Sequence, residues 1–348
     1  MTTEMTERSR KILEVIVDDY ITSGEPVGSL GVTKRHNLDL SPATVRNVMA
    51  DLEELGFLIS PHTSAGRIPT EKGYRYYVDC LLQLRELTPQ EKRGIEASCP
   101  GTNGIDKLFQ EAGKALSALS SHAGIVMAPR FTTTVFKQIE FVQLSRGKLL
   151  MVFVSRSGLV QNKLIDADET LTRDDLEKIN NYLNETLSGM SITEVREKIA
   201  SEMQHEKSMY DKLLRQALEL SGAALQEDFG SQLIIEGAST FLDRPEFANM
   251  GQIKKLFMAF EQKNTLIDLL DKSQQAAGVQ LFIGSEHELV QIDGCSLITA
   301  NYQNVYGTIG TLGVIGPSRM AYSKVIPIVD YTARLISRML ETGQDKET

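Results

Sequence analysis

The stretch "SPATVRNVMADLEELGFLISPHTSAGRIPT", Ser41 to Thr70, decides the fold of the N-terminal region. Its Ser-Pro start favours a helix, because serine caps free backbone amides and proline fits the first helical position. Gly56 is typical of the position just after a helix end. A short apolar run and the proline-bracketed loop Pro61–Thr70 follow, so we predict a helix and then a β-hairpin. The apolar side chains of the helix recur on one face: Val45, Val48, Met49, Leu52 and Leu55.

The flanking segments extend this pattern to about residue 86. Helical periodicity predicts one helix over Glu7–Thr22 and a short one over Ser29–His36. After the hairpin, Thr70 is predicted to cap a tyrosine-rich helix. Three helices, a hairpin and a helix are the order of a winged helix-turn-helix, so residues 1–86 are predicted to bind DNA.

The third helix carries the first candidate contacts. If its apolar face packs inward, its N-terminal half presents five residues to the outside: Ala43, Thr44, Arg46, Asn47 and Ala50. Arginine can pair bidentately with guanine and asparagine with adenine, and small neighbours allow close approach. The alternative is an ordinary solvated face, which the hairpin after the helix makes less favourable. In the loop, Arg67 is the candidate contact to phosphate or the minor groove.

Charge and composition limit the functional classes. The chain has 348 residues, which predicts two or three domains, and its net charge of −9 argues against general coating of nucleic acid. Between Gly24 and Tyr77 there are six basic and six acidic residues, so a single copy would make few phosphate contacts. A dimer that reads a palindrome is the form we expect.

Other classes of protein lack support. Three scattered cysteines predict reduced thiols, and the polar N-terminus and short apolar runs predict a cytoplasmic protein without a membrane span. The glycine run from Gly307 to Gly316 lacks the lysine of a phosphate loop and fits a strand better. No catalytic, metal or cofactor pattern is apparent, so we predict no enzyme, metal or cofactor.

The rest of the chain predicts a multidomain α+β protein. A polar linker is expected at 87–104, then a helix over Ile105–Ser120. Strands are expected over Gln138–Leu144, Lys148–Val154 and Leu159–Ile165. Helical periodicity then predicts helices around Met203, Leu213–Leu218 and Gln252–Phe260, and further strands follow. Strands, then helices, then strands suggest one α+β domain, 105–185 and 271–348, interrupted by a mostly helical insertion, 186–270.

Several stretches resemble the bacterial HrcA family of heat-inducible transcription repressors. The most specific is "EPVGSLGVTKRHNLDLSPATVRNVMADLEELGFLISPHTSAGRIPTEKGYRYYVD"; others are "FVQLSRGKLLMVFVSRSGLVQNKLI", "EGASTFLDRPEF", "SLITANY" and "LGVIGPSRM". One departure is Leu30-Gly31, where the family usually has a basic and a small polar residue; we expect weaker DNA affinity from it. Together with the residues above, the resemblance predicts the DNA-binding set Lys34, Arg35, Ser41, Ala43, Thr44, Arg46, Asn47, His62, Thr63, Ser64 and Arg67.

The resemblance also implies architecture and partners. It implies a winged helix-turn-helix, a GAF-like α+β domain and a mostly helical inserted dimerisation domain. It implies a homodimer that binds the inverted-repeat CIRCE operator of groE and dnaK type operons, leaves it on heat shock, and is supported by the GroEL chaperonin. A metabolite-responsive regulator with an effector pocket near Phe153 or Tyr306 is the alternative, and an enzyme is the weakest reading.

Overall fold

The computed structural model describes most of the chain. The described residues are 5–36, 38–61, 66–99, 105–128, 135–156, 160–168, 171–191, 194–195, 197–198, 220, 233–241, 263–274, 278–286, 294–304 and 307–344. The predicted helices around Met203, Leu213–Leu218 and Gln252–Phe260 lie outside them. Within the described residues, no helix is long and apolar enough to cross a membrane.

The N-terminal module, residues 5–81, has the predicted order of elements. Its helices and strands are α1 (Glu7–Ser23), α2 (Ser29–Arg35), α3 (Pro42–Glu54), β1 (Leu58–Ile59), β2 (Ile68–Pro69), α4 (Glu71–Tyr76) and a π-helical turn (Tyr77–Leu81). The side chain of Ser41 accepts a hydrogen bond from the Thr44 amide at 3.1 Å and caps α3. Gly56 ends it with φ +77°, which a glycine adopts without strain. The local signals for α3 are therefore confirmed.

A helix occupies most of the segment that we predicted as a linker. Helix α5 (Pro89–Ser98) begins at Thr88, whose side chain accepts from the Glu91 amide while Glu91 accepts from the Thr88 amide. This reciprocal pair is a capping box, and Pro89 stands at the first helical position. Ile95 is fully buried, so the polar segment 87–104 contributes a packed helix rather than a bare connection.

The largest sheet has five strands, β7-β3-β10-β9-β8, and every neighbouring pair is antiparallel. They are β3 (Ala123–Met127), β7 (Leu233–Glu236), β8 (Val279–Ile283), β9 (Cys295–Asn304) and β10 (Gly307–Pro317). Helices α6 (Ile105–Ser120) and α9 (Tyr322–Gln344) pack on one face, and α8 (Lys263–Gln274) packs on the other. The core of the α6 and α9 face is continuous with that of the N-terminal module. Both faces of this sheet are thus covered by helices.

The predicted three-strand meander forms a separate sheet. Its strands are β4 (Phe136–Ser145), β5 (Lys148–Ser155) and β6 (Val160–Asp166), and α7 (Arg173–Leu187) covers it with a core of its own. Asn184 of α7 accepts from the Ile139 amide at 2.8 Å and donates to the Ile139 carbonyl at 2.9 Å, so it covers the β4 edge.

This division differs from the predicted boundaries 105–185, 186–270 and 271–348. The meander and α7 stand outside the five-stranded sheet, whereas β7, expected within the insertion, pairs with β3. Strand β3 is wholly buried and was not predicted. Periodicity shows that a strand exists but not which distant strand it pairs with, because that depends on contacts between segments far apart in the sequence.

Candidate nucleic-acid interface

Helix α3 presents the predicted polar face to the outside. Ala43, Arg46, Asn47 and Ala50 are exposed at spacings of three and four residues, which places them on one side of the helix. Ser41 is exposed at the cap, and Thr44 is half-buried. The opposite side is buried in the core: Val45, Val48, Met49 and Leu52. The structure therefore brings four exposed predicted contacts, Ser41, Ala43, Arg46 and Asn47, together at one end of one helix, with the half-buried Thr44 beside them.

The basic side chains near α3 divide into engaged and available groups. Arg35 Nη1 lies 3.3 Å from Asp19 Oδ2, and Lys72 Nζ donates to the Leu55 carbonyl at 2.8 Å, at the end of α3. Arg46 and Lys34 are exposed, and neither has an ion-pair or hydrogen-bond partner among the described residues. Arg46 on α3 is thus the basic side chain best placed to meet an external anion.

The ends of the predicted wing are fixed to the rest of the module. Arg67, immediately before β2, pairs through its Nη2 with Glu53 Oε2 at 2.9 Å. Its backbone forms two 2.9 Å hydrogen bonds with Val27, which add an isolated bridge beside β1 and β2. His62, Thr63 and Ser64 lie outside the described residues, so their predicted contacts stay predictions.

Two neighbouring aspartates hold the helices around α3. Asp19 is buried in α1, and its carboxylate contacts both His36, at 2.9 Å from Nε2, and Arg35. These two contacts fix the end of α2. Asp18 accepts from the Tyr77 hydroxyl at 2.5 Å. Burial raises the pKa of Asp18 although this hydrogen bond lowers it. Arg35, predicted to touch DNA, therefore also has a structural partner.

A polar interface joins the N-terminal module to the five-stranded sheet. We call it the inter-module interface: Glu71, Arg75, Leu281, Ser285 and Glu286. Arg75 donates two hydrogen bonds to the Glu286 carboxylate and one to the Leu281 carbonyl at 2.7 Å. Glu71 accepts from the Ser285 hydroxyl at 2.9 Å and from its amide at 3.2 Å. Helix α4 is thereby attached to the loop after β8.

Further contacts extend this attachment. The Tyr74 and Tyr322 rings lie 6.1 Å apart, and burial raises the pKa of Tyr74 well above its ordinary value. Arg319 Nη1 lies 3.4 Å from the carbonyls of Tyr20 and Ile21, near the end of α1. None of these residues carries a local sequence signal for this role, because the contacts join residues 20–77 to residues 281–322, which lie far apart in the chain.

The alternative effector pocket finds no counterpart at Phe153. This residue is fully buried in the three-stranded sheet, and its ring packs edge-on against Phe136 with centroids 5.6 Å apart. Tyr306 lies outside the described residues. In the five-stranded sheet, the buried Tyr302 hydroxyl donates to the Met127 carbonyl at 2.6 Å, and Phe109 packs on its ring. These aromatic side chains serve as core.

Comparison with known proteins agrees with the resemblance. The family model described as the HrcA protein C terminal domain matches residues 106–326. A heat-inducible transcription repressor HrcA of Geobacter sulfurreducens is 52% identical over 97% of this chain and 99% of its own length. The corresponding repressor of Syntrophobacter fumaroxidans is 40% identical over 98% and 99%.

A solved structure, described as that of a hypothetical protein, has a similar fold. It covers 97% of this chain and 99% of its own, with a TM-score of 0.61 and 21% identity. The sequence identity over nearly the full length, rather than this fold likeness, decides the family. The chain belongs to the HrcA family of heat-inducible transcription repressors, which are not enzymes.

Proposed function

We propose that the chain represses transcription by placing the N-terminal end of α3 in the major groove of operator DNA. The observation that carries this is the exposed face with Arg46, which has no partner among the described residues, beside Asn47. Arg46 would read guanine and Asn47 adenine, while Ala43 allows close approach. Ser41 and Thr44 lie at the helix start, where backbone amides and the helix dipole favour a phosphate.

The rest of the predicted set has supporting roles in this proposal. Lys34 and Arg35, in the last turn of α2, would contact the phosphate backbone, which positions a protein without specifying sequence. His62, Thr63 and Ser64 would do so from the wing of a winged helix-turn-helix spanning residues 1–86. A cytoplasmic location follows from this role.

We propose further that two copies bind an inverted repeat of the CIRCE type. Each phosphate contact steepens the slope of log affinity against log salt concentration by about 0.9. One module offers few available cations for such contacts. A second copy doubles these contacts, and its two-fold symmetry requires a palindromic site. The GAF-like character of the five-stranded unit and the dimerisation role of the insertion stay predictions.

The test is operator binding by the full chain over a salt series, on a CIRCE-type inverted repeat and on a scrambled duplex. Arg46→Ala and Asn47→Ala should each weaken binding to the repeat by about 1–3 kcal/mol and relax specificity at one base pair. Arg93→Ala is the control, because Arg93 is an exposed arginine on α5. Unchanged affinity in both α3 variants would place the DNA surface elsewhere.

Control of groE and dnaK type operons by the GroEL chaperonin is also proposed. A chaperonin that binds only the folded, DNA-competent repressor stabilises it by RT ln(1 + [L]/Kd). Heat would supply unfolded clients that occupy the chaperonin, so active repressor falls and transcription begins. Operator binding is measured alone, with GroEL, and with GroEL plus unfolded client; the same affinity in all three would contradict the proposal.

A further inference from the structure

Glu53 in the last turn of α3 contacts both ends of the wing. Its Oε1 accepts from the Ser60 amide at 3.1 Å, directly after β1, and its Oε2 pairs with Arg67 at 2.9 Å, directly before β2. An acid here is unfavourable for the helix itself, because the dipole places negative charge at this end. The contacts to the wing give the carboxylate a different role.

The same part of the wing is held from its other side. The Arg67 backbone is bonded in both directions to Val27, just before α2. A Cβ added to Gly66 would lie 2.4 Å from the Val27 carbonyl carbon and oxygen, so only glycine fits without a backbone shift. The segment Gly66–Arg67, which leads into β2, therefore lies between the start of α2 and the end of α3.

A direct DNA contact by Arg67 is the competing explanation. The Arg67 side chain is only 26% exposed, and its guanidinium already has a carboxylate partner. If Arg67 turned toward phosphate, Glu53 would lose its counter-charge next to the DNA and repel it. The ion pair neutralises the acid and fixes a distance at the same time.

We propose that Glu53 is a positioning residue for DNA binding. With Arg67 it forms a clamp that fixes the wing strands β1 and β2 relative to α3. This inference rests on the proposed function, because it assumes that α3 and the wing meet the same operator. Neither residue needs to touch DNA for the clamp to set operator affinity.

The direction in which one substitution, Glu53→Ala, changes operator affinity separates the clamp from a Glu53 without a positioning role. Removal of an acid near bound DNA should tighten binding. If Glu53 had no positioning role, the Glu53→Ala variant would therefore bind the operator more tightly than wild type. The clamp predicts weaker binding, by about tenfold, as for the loss of a charge-assisted hydrogen bond. Glu54→Ala is the matched control, because Glu54 is an exposed neighbour on α3. It should bind as wild type or tighter.

Two more readouts distinguish positioning from a phosphate contact. The double variant Glu53→Ala/Arg67→Ala should lose no more affinity than either single variant, since both act through one pair. The slope of affinity against salt should stay at the wild-type value in Arg67→Ala, whereas a lost phosphate contact lowers it by about 0.9. Glu53→Gln keeps the acceptor for Ser60 and should fall between wild type and Glu53→Ala.

Binding is compared only among variants whose circular dichroism and thermal midpoint show a folded chain. Glu53→Ala that binds as tightly as Glu54→Ala overturns the clamp, as does a lowered salt slope in Arg67→Ala. If wild type ignores the inverted repeat, or Arg46→Ala and Asn47→Ala have no effect, the proposed function itself fails. If those two weaken binding and Glu53→Ala does not, only the clamp fails.

Discussion

Replacement of Arg75 by alanine tests how firmly the N-terminal module is attached to the five-stranded sheet. The Arg75 Nε donates to Glu286 Oε1 at 2.8 Å, and its Nη2 donates to the Leu281 carbonyl at 2.7 Å and to the second carboxylate oxygen. The side chains of Arg75 and Glu286 are 31% and 30% exposed. Water therefore screens this ion pair only in part.

The expected loss follows from these contacts. Exposed ion pairs contribute about 0.2–1 kcal/mol, and the bidentate geometry favours the upper end of that range. The hydrogen bond to the Leu281 carbonyl adds about 1 kcal/mol, because its removal leaves a part-buried acceptor. Arg75→Ala should thus destabilise the chain by about 2 kcal/mol, which lowers the thermal midpoint by several degrees.

The assay is thermal unfolding followed by circular dichroism, with a control inside one helix. Arg334 also pairs with a carboxylate, Asp330, but one turn away on α9 and with 73% of its side chain exposed. Arg334→Ala should cost less than about 0.5 kcal/mol. A double-mutant cycle of Arg75→Ala with Glu286→Ala should give a coupling of about 1 kcal/mol. Equal effects of Arg75→Ala and Arg334→Ala, or no coupling, would refute the reasoning.

The same interface should depend on pH. Burial alone would raise the pKa of Glu286, but hydrogen bonds from Arg75 and the Ile283 amide outweigh it, and the folded pKa is lowered. Because the folded pKa is lowered, the ionised Glu286 stabilises the protein at any pH above the unfolded pKa of about 4.3. This stabilisation is lost as the pH falls through the folded pKa. The midpoint difference between wild type and Glu286→Gln should therefore shrink below about pH 4. A difference that grows there would contradict this assignment.

Three further substitutions test individual contacts by their thermal midpoints. Gly66→Ala should cost about 1–3 kcal/mol, because its Cβ meets the Val27 backbone, and no loss would mean that the backbone moves easily. Tyr302→Phe should cost about 1 kcal/mol, since the Met127 carbonyl loses a buried donor; a stabilised variant would argue against that bond. Ser41→Ala should cost about 1 kcal/mol through the lost cap of α3, whereas Ser41→Gly should cost less.

The elements that sequence patterns predicted well are those whose ends depend on nearby residues. Helix α3 has its cap, its proline and its terminal glycine within sixteen residues, so the signals and the structure share one cause. Strand β3 was not predicted because both of its faces are buried, and a short uniformly apolar run lacks the alternation of a half-exposed strand. Its pairing with β7 spans more than a hundred residues and depends on the interruption between them.

The candidate site divides in the same way. Helical spacing was enough to place Ala43, Arg46 and Asn47 on one exposed face. The partners of Arg35 and Arg67 could not be inferred, because Asp19 and Glu53 lie on other elements and meet them only after the module has packed. A sequence shows which side chains are basic, whereas packing decides which of them are available.

That distinction changes the meaning of the charge count around α3. The equal numbers of acids and bases in residues 24–77 suggest a module with no preference for DNA. In the structure, Glu53 is paired with Arg67, so this acid adds little repulsion, and Asp19, which lies outside the counted range, is paired with Arg35. Arg46 stands toward the positive end of the α3 dipole, and Glu54 lies at its far end. This polarity favours docking by the N-terminal end of α3.

The overall negative charge then has a consequence for specificity. Non-specific binding rests almost wholly on the phosphate term, so a chain with net charge −9 should bind random DNA weakly. The proposed base readout by Arg46 and Asn47 would depend on short bidentate contacts, which the net charge of the whole chain affects little. Under the proposed function, the small number of available cations would therefore raise the ratio of specific to non-specific affinity, the quantity that decides whether a repressor finds its operator among many competing sites.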